Sequence, residues 1–400
     1  MSDKKILVIN CGSSSLKYQL FEMPAGKMLV KGLVEKIGLP DSAIKQETAD
    51  GRKWKTEFPM NDHTAAFNKV VEGILDKEHG VLNSIDEIDG VGHRVVHGGE
   101  KYSDSVKIDD KVIADIQECA DLAPLHNPAN LQGIVAAMKL FKNAIHTATF
   151  DTAFHATMPD YAYMYALPYE YYTDYKIRRY GFHGTSHRYV TSKCFEVTKS
   201  TPADTNIITV HIGNGGSVTA VRGGKSVDTS MGLTPLEGVI MGTRSGDLDP
   251  AIIHYLVSKG MTESEVNSVL NKKSGMLGIS GVSSDLRDIE AAAKDGNKRA
   301  QLALDAFAYR VKKYIGSYSA ALGKVDYVVF TGGIGENSAV MRARILKDLT
   351  NIGIKFDADK NNAVKGIGYI TSDDSPVKAI VIPTDEEQQM ARDTYSILTK

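Results

Sequence analysis

A repeated pattern of strand, small-residue turn and returning strand constrains the fold of this chain more than any other feature. The apolar run KKILVI (4–9) leads into the turn NCGSSS (10–15) and the alternating segment LKYQLFEM (16–23). The segment NIITVHIGNGGSVTAV (206–221) has the same plan. In both halves a third strand, helices and a strand ending in two glycines follow. The repeat predicts two related α/β domains facing each other across a cleft, although any α/β protein contains strand–glycine–helix segments.

The length of the chain also favours two domains. Single hydrophobic cores rarely grow beyond about 250–300 residues, and this chain has 400. We place the first domain at residues 1–150, with a C-terminal helix at 386–400 returning to it. The second, nucleotide-binding domain occupies residues 151–385.

Composition and charge exclude several classes of protein. Apolar residues make up 42% and charged residues 24%, which is typical of globular proteins. The formal net charge of −2 offers no overall positive field for nucleic acid or acidic lipid. No apolar segment resembles a secretory signal or reaches the about 20 residues of a membrane span. We therefore expect a cytoplasmic protein without a nucleic-acid or membrane partner, and three scattered cysteines suggest no disulfide framework.

Three segments rich in glycine and serine are candidates for binding phosphate. They are NCGSSSLK (10–17), HIGNGGS (211–217) and TGGIGEN (331–337), and each is interpreted as a turn after an apolar strand. Backbone N–H groups in such turns can point together at an anion, and glycine lets the backbone approach it closely. None has P-loop spacing, and any one of them is equally well a plain turn. Three in a duplicated plan indicate a nucleotide.

Several charged or titratable residues next to these segments are candidates for chemistry. Arginine binds carboxylate and phosphate through a bidentate fork, so Arg94 and Arg244 are candidates for holding an anionic substrate, with an ordinary salt bridge as the alternative. Asp151 after an apolar strand suits a Mg²⁺ ligand, or else a helix N-cap. His183, between two glycines, suits a hydrogen-bond donor to a phosphoryl oxygen, or else a structural histidine. Glu386 either caps the last helix or reaches a metal.

With these residues in view, the chain resembles the acetate kinase family, in the superfamily that also contains sugar kinases, actin and heat-shock chaperones. The resemblance covers almost the whole chain and follows its order. The segments that carry it are VINCGSSSLK, GHRVVHGG, APLHNPAN, FDTAFH, GFHGTSH, TVHIGNGGSVTAV, MGTRSGDLDP, FTGGIGEN and IPTDEE. The fold it implies is a pair of duplicated actin-like (ribonuclease H-like) domains. The activity it implies is transfer of the γ-phosphoryl group of ATP to acetate by direct in-line displacement.

The resemblance also implies roles for individual residues. Arg94 matches the arginine that binds acetate, Asp151 an essential acidic residue, and His183 and Arg244 the groups that stabilise the transition state. Asn10 and Glu386 match residues placed near Mg²⁺, for which Mn²⁺ is a possible substitute. Many members have Asn where this chain has Asp385, which leaves the choice between Asp385, Glu386 and Glu387 open. Residues that match contacts to ATP or ADP are Lys17, His211, Ile212, Gly213, Asn214, Gly215, Asp285, Leu286, Arg287, Gly333, Ile334, Gly335, Glu336 and Asn337. Residues that match an apolar pocket for the acetate methyl group are Val96, Leu125, Phe182 and Pro235.

Two other functions compete with this one. A propionate kinase of the same family differs only in the size of the acceptor pocket. A nucleotide-gated binding protein of the actin and chaperone branch would have no acceptor pocket with paired arginines. The resemblance further implies a homodimer, whereas the sequence alone does not reveal the interface.

Overall fold

The chain folds into two compact units, each built around one β-sheet. The structure is a computed structural model that describes residues 3–124 and 126–400. The first unit comprises the chain up to Ala156 together with Asp385–Lys400, and the second unit is Thr157–Thr384. Among the described residues, no helix combines the length and apolar character needed to cross a membrane.

The sheet of the first unit has eight strands. They are β1 (Lys4–Cys11), β2 (Ser15–Met23), β3 (Lys27–Glu35), β4 (Ala43–Thr48), β5 (Lys53–Glu57), β6 (Gly90–Val95), β7 (Val106–Lys107) and β8 (Ile145–Phe150). Their order is β5-β4-β3-β2-β1-β6-β8-β7. Strands β1, β6 and β8 run parallel, whereas β1 to β5 form an antiparallel series. Strand β1 is buried on both faces, which explains its nearly continuous apolar run.

Helices cover both faces of this sheet. They are α1 (His63–Leu75), α2 (Asp110–Glu118), α3 (Asn127–Leu140) and, from the end of the chain, α15 (Glu386–Leu398). Helix α15 begins where the Asp385 carboxylate accepts a hydrogen bond from the Gln388 N–H at 2.8 Å, as an N-cap does. Its apolar face, including Met390 and Tyr395, packs on strands β1 and β2. The C-terminal segment therefore supplies part of the core of the first unit.

The sheet of the second unit has six strands. They are β9 (Asn206–Ile212), β10 (Gly216–Arg222), β11 (Lys225–Thr229), β12 (Tyr327–Thr331), β13 (Gly368–Tyr369) and β14 (Lys378–Val381), in the order β11-β10-β9-β12-β14-β13. The helices are α4 (Asp160–Tyr163), α5 (Glu170–Tyr175), α6 (Gly184–Thr198), α7 (Ala251–Ser258), α8 (Glu263–Ser268), α9 (Gly275–Ser280), α10 (Leu286–Lys294), α11 (Lys298–Leu322), α12 (Gly332–Asn337), α13 (Ala339–Leu346) and α14 (Ala358–Ala363). The long helix α11 lies across the core of this unit.

The two sheets share a common topology, which confirms the predicted duplication. The order β3-β2-β1-β6-β8 in the first unit corresponds to β11-β10-β9-β12-β14 in the second. In each, three antiparallel strands continue into two strands parallel to the first. Since the carboxyl ends of parallel strands meet at one edge, each unit has one edge where candidate residues gather.

One sequence-based interpretation is corrected. The segment 331–337 is not a turn, because Gly332 adopts a φ of +76° and begins the short helix α12. The helices predicted ahead of this segment are present. Helices α10 and α11 are separated at Gly296, which has a φ of +90°, and Asn297 caps α11. Strands β4 and β5 were not predicted.

Candidate active site

The first unit brings Asn10, Arg94 and Asp151 together at the carboxyl edge of its parallel strands. Asn10 lies near the end of β1, Arg94 near the end of β6, and Asp151 just after β8. The Arg94 Nε donates to Asp151 Oδ1 at 2.9 Å, and Arg94 Nη1 donates to Asn10 Oδ1 at 3.3 Å. Asp151 is buried, and its charge raises the pKa of Arg94. The carboxylate of Asp151 thus holds the guanidinium rather than acting as the helix cap that was its alternative interpretation.

The start of helix α15 adds further carboxylates to this edge. Asp385 caps the helix, and the next residue, Glu386, lies near enough to Arg94 and Asp151 for their charges to act on it. The pKa of Glu386 is raised to about 7, chiefly because burial disfavours the charged carboxylate; the charge of Arg94 lowers this pKa, those of Asp151 and Glu387 raise it, and that of Lys17 lowers it. Lys17 lies opposite Asn10 in the β1–β2 register and is exposed. Negative charge on Glu386 is therefore disfavoured unless a cation balances it.

This arrangement suits a cation that takes only part of its ligands from protein. No group of three or more His, Cys, Asp and Glu side chains that could hold a metal is present at residues 3–124 and 126–400. Mg²⁺ usually binds one or two carboxylates and completes its shell with water and phosphate oxygens. The half-buried Glu386 and Asn10 and the buried Asp151 offer oxygens of this kind, in surroundings with excess negative charge. The residues present therefore fit magnesium bound together with a phosphate ligand.

In the second unit, His183 lies at the centre of a polar cluster. It precedes helix α6 with a left-handed φ of 57°, which is uncommon for a residue with a side chain. Its Nδ1 lies 2.8 Å from the Oγ of Ser217, and its ring stacks on His211 with 4.4 Å between centroids. His211 Nδ1 lies 2.7 Å from Ser186 Oγ. These contacts hold the imidazole of His183 in one orientation.

Arg244 lies beside His183 and carries a positive charge without a balancing carboxylate. Its Nη1 donates to the carbonyl oxygen of Pro235 at 2.8 Å, and no acidic side chain in the described part of the chain pairs with it. Burial lowers the pKa of Arg244. A Cβ atom at Gly215 would lie 3.4 Å from His183 Nε2 and 3.9 Å from Arg244 Nη1. The imidazole of His183 and the positively charged guanidinium of Arg244 thus both border the surface that the absent side chain leaves open, and positive charge at such a surface suits an anion.

The predicted nucleotide-binding segments adjoin one another in the second unit. His211–Gly215 ends strand β9, and Thr331 pairs with His211 where β12 runs beside it. A Cβ at Gly213 would lie 3.7 Å from the N–H nitrogen of Gly333. Asn214 reaches Gly242, which also contacts the carbonyl of Ser284. The segments 211–215, 285–287 and 333–337 therefore gather at one side of the sheet.

The side chains in the other two segments have defined local roles. Asp285 caps helix α10, and its carboxylate also binds the exposed guanidinium of Arg287 at 2.6 Å. Leu286 is buried, whereas Ile334 is half-buried and Gly335 packs against Ile212. Glu336 accepts from the Gly332 N–H at 2.9 Å, and Asn337 donates to the Gly333 carbonyl at 2.9 Å. These bonds leave the N–H group of Gly333 at an open, exposed position.

The predicted apolar pocket is divided between the units. Val96 is buried in the first unit, while Phe182 is buried and Pro235 half-buried in the second. Leu125 lies outside the described residues. The pocket therefore stays a prediction.

Sequence reasoning missed the buried residues behind His183. The Oγ of Ser217 also lies 2.7 Å from His187 Nε2, and His187 Nδ1 lies 2.7 Å from Thr209 Oγ1. His187 follows His183 by four residues in GFHGTSH, a spacing that places two side chains on one helical face. That spacing was the available signal for His187. Ser217 lies at the end of the candidate segment HIGNGGS (211–217), but nothing in the sequence indicated that it contacts two histidines. Thr209 carried no signal, because alternation in a strand indicates only which residues are buried.

Comparison with known proteins gives one consistent family. The family model described as "Acetokinase family" matches residues 5–392. An acetate kinase from Treponema denticola is 58% identical over 395 residues, which covers 98% of this chain and 100% of that protein.

Solved structures agree. The crystal structure of Porphyromonas gingivalis acetate kinase matches with a TM-score of 0.96 at 50% identity, covering 99% of this chain and 100% of that one. The structure of a propionate kinase from Francisella tularensis matches with a TM-score of 0.91 at 40% identity, covering 98% and 100%.

The raised pKa of Glu386 predicts a pH dependence of stability. The folded state binds the proton up to pH about 7, whereas the unfolded chain releases it near 4.5, so stability is lost as pH rises through this window. Glu386→Gln removes the titration. We compare the free energy of unfolding of Glu386→Gln with that of the unsubstituted protein, both in EDTA. The difference, variant minus unsubstituted, should therefore rise by about 1–3 kcal/mol between pH 5 and pH 8. Urea unfolding at both pH values measures this.

Glu118→Gln is the matched control, because this carboxylate is exposed on α2. An equal pH dependence in Glu386→Gln and the unsubstituted protein would contradict the assigned environment of Glu386.

Proposed function

The chain belongs to the acetokinase family, and we propose that it transfers the γ-phosphoryl group of ATP to acetate, giving acetyl phosphate and ADP. The high identity to acetate kinases along the full chain supports this activity. The observation that carries it in the structure is the half-buried cation of Arg244, which no carboxylate balances, near Nε2 of His183. Donors placed in this way suit charge that develops on a transferring phosphoryl group.

The reaction needs charge neutralisation more than proton transfer. A carboxylate oxygen of acetate forms a bond to the γ-phosphorus, the bond from phosphorus to the β–γ bridging oxygen breaks, and ADP departs with that electron pair. Because acetate is already an anion, no general base is required. The difficulty is the approach of one anion to another, and positioned positive groups reduce it.

The residues of the first unit hold the acceptor in this proposal. Arg94 has five N–H donors, of which Asp151 and Asn10 take three, so others stay available for the acetate carboxylate. Asp151 fixes the orientation of the Arg94 guanidinium, because its two carboxylate oxygens accept hydrogen bonds from two N–H groups of that side chain. The family resemblance is the ground for proposing that Val96, Leu125, Phe182 and Pro235 contact the methyl group of acetate.

The residues of the second unit hold the nucleotide and the transferring group. The backbone of 211–215 and 333–337 binds the phosphates, and segment 285–287 lies nearer the rest of the nucleotide. His183 and Arg244 donate to the oxygens of the phosphoryl group as it moves. Lys17 contributes a point charge from the first unit.

Magnesium is the metal that suits this site, and Mn²⁺ is an alternative. Glu386, Asp151 and Asn10 would hold it with phosphate oxygens. When bound, it neutralises the phosphates and orients them for transfer. The clustered carboxylates beside Glu386 support this choice.

The proposal includes a homodimer in the cytoplasm, where ATP is available. Helix α7 is apolar along its length yet buries none of its residues within the chain. Ile252, Ile253, Tyr255 and Val257 are all exposed. Apolar side chains grouped in this way are typical of protein–protein interfaces.

Acceptor specificity tests the proposed reaction. With MgATP and hydroxylamine to trap the acyl phosphate, acetate should give the highest kcat/KM. Propionate should retain measurable activity and butyrate little, because each methylene in an apolar pocket changes discrimination by about 10–200-fold. A propionate or butyrate optimum would favour the rival kinases. ATP hydrolysis that does not depend on any acceptor would favour the binding protein.

Loss of Arg244 tests the role of the unbalanced cation. Arg244→Ala should lower kcat by about 10³–10⁵, as the loss of an arginine finger does. Steady-state acetyl phosphate formation measures this. Arg222→Ala is the control, since that arginine donates to the carbonyls of Ala321 and Leu322 at the opposite end of β10. A kcat for Arg244→Ala within tenfold of the unsubstituted enzyme would remove Arg244 from the mechanism.

The exposed face of α7 predicts the association state. Sedimentation should give a dimer, and Ile252→Glu should shift it towards the monomer because a buried, unpaired carboxylate is costly at an interface. Leu302→Glu alters another exposed apolar residue, on α11, and should leave the dimer intact. A monomer for the unsubstituted protein at micromolar concentration would contradict the assignment.

A further inference from the structure

A continuous chain of buried polar groups lies behind His183. It runs from Thr209 on β9 through His187 on α6 and Ser217 on β10 to His183. The successive distances are 2.7 Å from Thr209 Oγ1 to His187 Nδ1, 2.7 Å from His187 Nε2 to Ser217 Oγ, and 2.8 Å from Ser217 Oγ to His183 Nδ1. Thr209, His187 and Ser217 have no exposed surface, so water does not compete for these bonds.

The hydroxyl of Thr209 determines which group donates and which accepts in each hydrogen bond of this series. Within the described residues, His187 Nδ1 is the only hydrogen-bond partner of Thr209 Oγ1. A buried hydroxyl proton needs an acceptor, and leaving it without one is costly. Thr209 therefore donates to Nδ1, which must carry a lone pair. The neutral ring of His187 then carries its proton on Nε2.

Ser217 accepts from His187 and donates to His183. Its Oγ contacts two ring nitrogens and carries one proton. Because His187 Nε2–H donates to this oxygen, the serine proton remains for the Nδ1 of His183. The reverse direction would need a proton on His183 Nδ1 and would leave the Thr209 hydroxyl without an acceptor.

The outward nitrogen of His183 is the one that faces the anion site. Nε2 lies on the side of Gly215, and Nη1 of Arg244 also lies near this glycine. With Nδ1 accepting from Ser217, the neutral ring presents Nε2–H as a donor. The opposite tautomer would present a lone pair, which repels an anionic phosphoryl oxygen.

We propose that Thr209, His187 and Ser217 are positioning residues that hold His183 in the tautomer with its proton on Nε2, so that it donates to the transferring phosphoryl group. The inference rests on the proposed phosphoryl transfer for its functional consequence, and on the hydrogen-bond chain alone for the tautomer. Ser217 acts without touching the substrate. It removes the need for His183 to select its tautomer during the reaction.

Nitrogen NMR of protein labelled with ¹⁵N-histidine tests the tautomer directly, because protonated and unprotonated ring nitrogens have different shifts. His183→Gln identifies the signals of His183. At pH 8 without substrates, His183 should have an unprotonated Nδ1 and a protonated Nε2. Ser217→Ala should increase the population with the proton on Nδ1. A proton on Nδ1 of His183 in the unsubstituted protein, in a neutral or charged ring, overturns the proposal.

Kinetics separate positioning from a merely structural role. Ser217→Ala should lower kcat by about 10–100-fold, less than the about 10²–10³ expected when a donor is removed outright. KM for ATP and acetate should change less than threefold, since ground-state contacts remain. Thr209→Val should change kcat in the same direction and to a smaller extent, because it removes the bond that starts the chain.

Ser230→Ala is the matched control. Ser230 is equally buried. Its Oγ accepts a hydrogen bond at 2.9 Å from the N–H group of Val218, which lies on the same strand as Ser217. It should leave both the His183 tautomer and kcat near those of the unsubstituted enzyme. An equal loss of kcat in Ser217→Ala and Ser230→Ala, with an unchanged tautomer, overturns the proposal. If the unsubstituted protein makes no acyl phosphate, the proposed function fails, whereas the NMR result still decides the tautomer.

Discussion

The parallel alignment of two strands with β1, and of two strands with β9, is the constraint on which the candidate site depends. Strands β6 and β8 end at the same edge as β1, and β12 ends beside β9. A slip of one residue in any of these pairings would turn the functional side chains to the opposite face. Apolar side chains on both faces of β1 resist such a slip, since burying each contributes roughly 1.5–3 kcal/mol.

The edges of the two sheets differ in charge, although the sheets have the same topology. In the first unit, Arg94 is paired with Asp151, and Glu386 adds negative charge that a cation can balance. In the second unit, Arg244 has a carbonyl rather than a carboxylate as its partner. One edge therefore carries an excess of negative charge, and the other carries a positive charge that no carboxylate balances. Two sheets of the same topology thus differ in charge through a few side chains at the ends of their strands.

The parts of the fold with strong periodicity could be predicted from sequence. The strands on either side of the turn 10–15 and of the turn 211–217 follow from their apolar patterns, and the shared topology confirms the repeat. The segment 331–337 was misassigned because glycine indicates a turn, whereas helix α12 uses one glycine at its start. Strands β4 and β5 were missed because alternating charged residues in a short antiparallel pair resemble a loop.

The sequence predicted which residues belong to the candidate site better than it predicted which side chains they bond to. Arg94 and Asp151 were separate candidates, and their pairing depends on strands 57 residues apart in sequence. The capping role of Asp385 also became clear only from its bond to Gln388, and the charges of both Glu386 and Glu387 act on Arg94. Ser217 and Thr209 look like ordinary strand residues, because their importance lies in which histidine nitrogen they contact. Hydrogen-bond partners of this kind come from tertiary packing, which local patterns do not encode.

The return of helix α15 to the first unit has a consequence for biosynthesis. The β-sheet of that unit is translated before the second unit, whereas the helix that covers β1 and β2 is translated after it. Until then Ile6 and Phe21 lack the apolar cover of Met390. The first unit therefore completes its hydrophobic core only after the whole of the second unit has been synthesised.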